Sequence, residues 1–458
     1  MSVFDPPAAR RDALRTDLYQ LTMAAAYHRA GLTHTATFEL FTRRLRPARR
    51  GYWIAAGLEQ ALDYLEGLRF RGEDIDFLRR LPAFEGADHE DFFARLAALR
   101  FEGEVWAVPE GTPVFPWEPL LRVSAPALQA QIVETYLLSL INFQTLIASK
   151  AARVAQATRG KPFVDFGTRR AHGPEAAELA ARAAYVGGAV GTSNVEAARR
   201  LGLPAYGTFA HSWVMSFDDE DEAFRRYAEA FPQNTTLLID TYDTVAAARR
   251  IVERDLPCQA VRLDSGDLAA LSREVRRILD EGGRSEVKIV ASSDLNEDKI
   301  DAMERAGCAV DIYGVGTELV TSKDWPALGG VYKLVEQRGP DGGVRYPIKL
   351  SSSKRSWPGR KQVYRRSQGA LYAGDLIALA DEEGHPGAPL LEKVLEGGRR
   401  LRPSPPLPEV RERCLAEVAR LPEGVRNLAE PAEYPVVRSE ALVALAERAY
   451  EELRHDAR

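Results

Sequence analysis

From Gln129 to about residue 315 the chain alternates short apolar runs of strand character with longer amphipathic runs of helical period. The pattern predicts helices over 131–158, 174–185, 244–254, 268–281 and 297–306, and strands over 162–164, 237–239, 260–263, 287–291 and 310–313. Parallel strands need a crossover of about a dozen residues or more, usually a helix, so this alternation restricts the region to a parallel α/β sheet. Over this length an irregular (β/α) barrel is expected rather than an open sheet.

The flanks read differently. In residues 1–125, Leu18, Leu21, Thr22 and Ala25 recur at helical spacing within 17–30, with Thr16 or Asp17 as N-cap, and 36–41 reads as a strand. We expect an N-terminal α/β domain there, a catalytic barrel over 126–345, and a less regular C-terminal extension over 346–458. That extension gathers proline and glycine at 384–389 and 402–406. A chain of 458 residues exceeds what one core usually serves, consistent with two or three domains.

A net charge of -5 and a pI near 6.0 give no electrostatic case for nucleic acid or an anionic membrane, so any anion site must be local. No basic-then-apolar leader opens the sequence and no apolar run approaches the ~18 residues of a membrane span, so a cytoplasmic protein is expected. Cys258, Cys308 and Cys414 are far apart and form no CxxC pair, which argues against a disulfide framework or a zinc knuckle.

Short polar clusters follow the strand-like runs, and loops at strand ends are where barrel enzymes keep their chemistry. His211 lies in the glycine-led stretch Gly207-Thr208-Phe209-Ala210-His211-Ser212-Trp213, with Asp240 or Glu196 as groups that could orient its ring. Ser292 and Ser293 follow one late strand, and Gly314, Gly316 and Thr317 the next. Glycine lets backbone N–H groups approach an anion, so both loops suit phosphate, although a plain turn is the competing reading. Strand alternation puts Arg262 and Asp264 on one side, with Asp267 beyond the Gly266 turn. Arginine suits phosphate, and the carboxylates suit ribose hydroxyls or Mg2+, unless Asp267 merely caps the next helix. In Asp165-Phe166-Gly167-Thr168-Arg169-Arg170, an aromatic face could stack a flat heterocycle and an arginine could pair a carboxylate.

Together with Thr16-Asp17-Leu18-Tyr19-Gln20, Gly191-Thr192-Ser193-Asn194 and Gly329-Gly330-Val331-Tyr332-Lys333-Leu334, these motifs stand in an order that resembles the nicotinate phosphoribosyltransferase family. The resemblance covers most of the first 360 residues and little of the last hundred. It implies a homodimer with shared active sites that joins nicotinate to phosphoribosyl pyrophosphate, driven by ATP. His211 matches the family's phosphorylated histidine. Phe166 and Tyr19, the latter from the neighbouring subunit, match the rings that sandwich the pyridine, with Arg169, Ser193 and Thr208 on the nicotinate side. Asp264 and Asp267 match the ribose and Mg2+ side, and the 349–359 loop, with Lys354 and Ser356, reaches toward the diphosphate. Ser356 stands where threonine is expected and keeps the hydroxyl. No Walker A motif is present, so ATP is expected to share the phosphoribosyl pyrophosphate pocket.

Three rivals differ at readable positions. Nicotinamide-using relatives carry aspartate where this chain has Ser193, and an aspartate would repel nicotinate's carboxylate. A quinolinate phosphoribosyltransferase would lack the His211 loop and want more basic residues. A catalytically idle phosphosugar-binding barrel would not need so complete a reactive set.

Overall fold

The computed structural model describes residues 12–43, 50–349 and 356–456. It divides into two compact units, one made of residues 147–326 and the other of 1–146 with 327–458.

The first unit carries a parallel five-stranded sheet in the order Phe163–Asp165, Ile312–Val315, Lys288–Ala291, Ala260–Leu263, Thr236–Leu238. Strands covered on both faces read as continuous apolar runs, and Leu237, Leu238, Val261, Leu263, Ile289 and Ala291 are fully buried. Helices Thr244–Glu253, Leu268–Glu281 and Glu297–Arg305 follow successive strands. Each begins on a side chain that accepts a backbone N–H of the first turn: Asp243 from Ala246 (2.8 Å), Asp267 from Ala270 (3.0 Å) and Asn296 from Lys299 (2.9 Å). These caps fix the turns between strand end and helix, where the polar clusters lie.

Beyond Phe163–Asp165 the sheet continues only as single parallel bridges, from Asp165 to Thr192 and from Thr192 to Ala205. Among the described residues no ladder joins Ala205 to Thr236–Leu238, so no closed sheet is seen where an irregular barrel is expected. Gly191 and Pro204 interrupt this margin. A Cβ on Gly191 would stand 2.4 Å from the Pro204 carbonyl oxygen, so the two segments meet backbone to backbone.

The second unit is antiparallel. Its seven-stranded sheet runs Val344–Arg345, Val331–Arg338, Thr35–Phe41, Pro119–Pro126, Glu104–Ala107, Glu392–Glu396, Arg399–Arg400. Strands from both ends of the chain thus share one sheet, with Phe38 stacked on Tyr332 at 4.7 Å between ring centroids. The helix Leu18–Arg29 starts after Asp17, as expected, but Asp17 makes no capping bond; its carboxylate accepts the Thr135 hydroxyl at 2.8 Å instead.

Candidate active site

Arg262 is the hub of the site. Strand alternation brings its guanidinium to the same side as Asp264, and Nη2 donates to Asp264 Oδ1 at 2.8 Å. Nε donates to the Ser292 hydroxyl at 2.7 Å, and Nη1 to the Thr208 hydroxyl at 2.7 Å. The same guanidinium lies 5.9 Å from the Phe166 ring centroid. Four of the polar clusters therefore converge on one cation. Burial alone would raise the Asp264 carboxyl, but the Ser292 hydroxyl, Arg262 and nearby His211 outweigh it and hold the group below the ordinary carboxylate range. Asp264 is thereby held as an anion.

His211 opens a single helical turn, His211–Val214, rather than lying in an open loop. Its Nε2 is 3.2 Å from Asp240 Oδ1; the carboxylate side chain is 1% exposed and the imidazole 40%. With the Asp240 carboxylate as acceptor, the neutral His211 tautomer that fits this contact has its proton on Nε2 and its lone pair on Nδ1. The other Asp240 oxygen accepts the Ser265 hydroxyl at 2.6 Å and the Asp264 N–H at 3.1 Å. Glu196, the alternative orienter, is instead paired with Arg199 and Arg200. Beneath the turn, Trp213 Nε1 donates to the Ala223 carbonyl at 3.1 Å, and Phe209 packs 4.5 Å from Tyr227, which anchors the histidine's backbone.

Phe166 and Ser193 stand on neighbouring loops. The Phe166 N–H donates to the Val315 carbonyl at 2.9 Å, and the Ser193 N–H donates to the Asp165 carbonyl at 2.8 Å. Arg169 sits in the short turn Thr168–Arg170, exposed and without an ion pair among the described residues. Its charge is open to a ligand anion.

The residues expected on the phosphate side differ in what surrounds them. A Cβ on Gly314 would stand 2.4 Å from the Phe166 ring, so this glycine makes room for the aromatic face. The Ser292 hydroxyl is buried and committed: it donates to Asp264 at 2.5 Å while accepting from Arg262. Ser292 thus braces the site from inside. Ser293 is exposed, at a φ of 146° that non-glycine residues seldom adopt, and Gly316 with Thr317 opens the turn Thr317–Val320. Asp267 caps its helix, as the plainer reading had it, and remains exposed.

Tyr19 and Ser356 belong to the antiparallel unit. There they line a cleft of about 470 Å³ with Arg43, Glu134, Lys333 and Lys349. Lys354 lies outside the described residues. Among the described residues no three His, Cys, Asp or Glu side chains gather to hold a metal.

Sequence reasoning passed over Ser265 and Asp165, and left Asp240 one of two options. Asp240 follows the buried apolar run 237–239, much as Asp264 follows the strand Ala260–Leu263.

Three family profiles match in chain order: the nicotinate phosphoribosyltransferase N-terminal domain over residues 14–142, the nicotinate phosphoribosyltransferase family over 162–328, and the nicotinate phosphoribosyltransferase C-terminal domain over 386–446. The chain belongs to the nicotinate phosphoribosyltransferase family. The 162–328 match contains the whole Arg262 and His211 network. A nicotinate phosphoribosyltransferase of Mycobacterium tuberculosis is 45% identical, over 97% of this chain and 94% of its own length. One from Bacillus subtilis is 41% identical over 93% of both. The crystal structure of human nicotinic acid phosphoribosyltransferase superposes with a TM-score of 0.81 at 32% identity, covering 94% of this chain and 99% of that one. That of nicotinate-nucleotide pyrophosphorylase from Pyrococcus furiosus gives 0.73 at 26%, covering 90% and 97%. No helix among the described residues is long and apolar enough to cross a membrane.

Proposed function

We propose that the chain joins nicotinate to phosphoribosyl pyrophosphate, forming nicotinate mononucleotide and pyrophosphate in NAD salvage, and that ATP drives this through a phosphohistidine at His211. Family membership supports the transfer reaction. The observation that carries the chemistry is the linked arrangement of His211, Asp240, Asp264 and Arg262.

In phosphoribosyl transfer, C1 moves from pyrophosphate to the pyridine nitrogen through an oxocarbenium-like state, so the protein mainly positions two ligands and stabilises separating charge. Asp264, held ionised, faces the developing positive charge and the ribose hydroxyls. Phe166 offers the pyridine a flat face. Arg169 and the Ser193 hydroxyl supply donors for its carboxylate. Thr208, Ser293, Gly316, Thr317, Lys354 and Ser356 are assigned to the ligand-facing and phosphate sides, with Asp264 and Asp267 as the carboxylates that would hold Mg2+. That ion would neutralise diphosphate charge when bound.

The Nδ1 lone pair of His211 attacks the γ-phosphorus of ATP; the P–N bond forms, the bridging P–O bond breaks, and ADP departs. Asp240 keeps the proton on Nε2 and stabilises the cationic ring. Water later cleaves the phosphohistidine to inorganic phosphate.

The same reading takes the parallel sheet as part of an irregular barrel, the chain as three successive regions at 1–125, 126–345 and 346–458, and the protein as cytoplasmic. It also takes the molecule as a homodimer in which Tyr19 of one subunit completes the other's site. Tyr19 is 48% exposed, and Val195, Tyr206, Met215 and Tyr242 on the site loops are exposed apolar groups of the kind a second subunit would cover. A monomer by analytical ultracentrifugation at assay concentration removes the shared site.

The test is purified protein with nicotinate, phosphoribosyl pyrophosphate, Mg2+ and ATP, followed for nicotinate mononucleotide and ADP. Formation of both is expected. Turnover of nicotinamide but not nicotinate would overturn the substrate assignment.

A further inference from the structure

Asp165 is the one fully buried carboxylate in the 163–170 segment, and all its polar atoms are spoken for. Its Oδ1 accepts the Gly167 N–H at 2.8 Å, and its Oδ2 accepts the Thr192 hydroxyl at 2.8 Å. Its own N–H donates to the Gly191 carbonyl at 3.0 Å, while its carbonyl accepts the Ser193 N–H at 2.8 Å. Thr192 Oγ1 passes the contact on by accepting the Asn194 N–H at 3.0 Å. Three of these four hydrogen bonds tie the loop carrying Phe166 and Arg169 to the loop carrying Ser193, and the fourth closes the Asp165–Gly167 turn. Only one of those loops is part of a regular strand ladder; the other touches the sheet through single bridges.

This clamp is costly. A buried carboxylate normally has a cationic partner, and among the described residues none acts on Asp165. Burial pushes its carboxyl up to about 6, against the two hydrogen bonds that favour the anion. A role confined to packing would be served by an uncharged residue. The groups that the clamp holds apart are the aromatic face and the serine assigned to the two ends of the base. The ring is fixed from the other side as well, since a Cβ on Gly314 would strike it.

We propose that Asp165 is a positioning residue that sets the spacing between Phe166 and Ser193, and thereby the choice of pyridine substituent, without touching the ligand. The proposal rests on the assignment of those two residues to the nicotinate pocket. The hydroxyl of Thr192 is the second half of the device. Removing either half should loosen base recognition while leaving Arg262, Asp264 and His211 in place, because none of these three bonds to Asp165 or Thr192.

The experiment compares wild type with Asp165→Ala, Asp165→Asn and Thr192→Val. Steady-state kinetics are run against nicotinate and nicotinamide, with hydrogen exchange of peptides covering 163–170 and 190–197. Asp165→Ala and Thr192→Val should each raise KM for nicotinate at least tenfold and reduce the nicotinate-to-nicotinamide preference at least fivefold. KM for phosphoribosyl pyrophosphate and for ATP should stay within twofold, and kcat should change less than KM for nicotinate. Asp165→Asn, which keeps an oxygen for the Gly167 N–H, should recover most of the loss. Exchange should quicken in those two peptides and not across 236–291. Unchanged base selectivity, an equal change in every KM, or uniformly faster exchange overturns the proposal. Wild-type protein that makes no nicotinate mononucleotide would instead sink the assigned function, and the exchange pattern would still decide whether the clamp exists. If Asp165→Ala does not fold, Thr192→Val carries the same test.

Discussion

In the antiparallel unit Lys361 lies 2.8 Å from Glu39 and Arg365 lies 2.6 Å from Asp375, all four side chains nearly inaccessible. In the parallel unit Arg262 and Asp264 are also 2.8 Å apart, but their side chains are 13% and 28% exposed, and His211 is 40% exposed. The residue types match; the surroundings do not. The first two pairs are sealed in the interior, Lys361 and Glu39 on strands of two different sheets and Arg365 and Asp375 on neighbouring strands of one, where breaking one partner strands a charge. The Arg262 group shares its donors with Ser292 and Thr208 at strand ends, where a ligand can reach it. In the two sealed pairs charge holds the fold, and in the Arg262 group it is kept available.

That contrast predicts opposite phenotypes. Asp264→Asn should lower kcat/KM by a factor on the order of 10³, the scale of a lost electrostatic group in a transition state, and leave the unfolding midpoint within a few degrees. Equal loss of activity and stability would erase the distinction. Arg365→Ala should do the reverse: urea denaturation should show a loss of about 3–5 kcal/mol, while kcat/KM per folded molecule stays within twofold. A smaller effect follows from the base pocket. Ser193→Asp should shift relative kcat/KM from nicotinate toward nicotinamide by at least about tenfold, since one charge-assisted hydrogen bond is worth roughly 1.5–3 kcal/mol. An unchanged ratio places Ser193 away from the ring substituent.

The smallest effect concerns pH. Asp165 has its carboxyl raised to about 6 in the folded chain, against about 3.9 unfolded. The folded state therefore binds its proton more tightly, so this group's contribution is present in full below the unfolded value and is lost as pH rises through about 6. Asp165→Asn removes that titration. The stability of wild type relative to this variant should rise by roughly 1 kcal/mol on going from pH 7.5 to 5. A relative stability that is flat over that interval, or that falls, means the carboxyl is not raised.

Much of the parallel unit was legible because its signals are local. The apolar run Ala260–Leu263, the polar residues after it and the Asp267 cap all lie within a few positions, and each stands where the sequence put it. Relations between distant residues were not legible. The run 36–41 reads as a strand, and the structure has one at Thr35–Phe41, but nothing in it announces a partner at Val331–Arg338, some three hundred positions on. Ser292 looked like a phosphate donor because serine after a strand often is one. Its hydroxyl turns inward only because Arg262 and Asp264 on the next strand claim it. Gly314 likewise serves the ring of Phe166, a neighbour made by parallel pairing rather than by sequence.

The central claim is that the exposed member of the parallel unit's charge network, His211, is the nucleophile toward ATP. The direct measurement is incubation with γ-labelled ATP, denaturation under alkaline conditions, where phosphohistidine survives, and peptide mapping. Label on the peptide containing His211 is expected, absent in His211→Ala and reduced in Asp240→Asn. Wild-type protein that couples ATP hydrolysis to nicotinate mononucleotide while label never appears on that peptide would contradict the account.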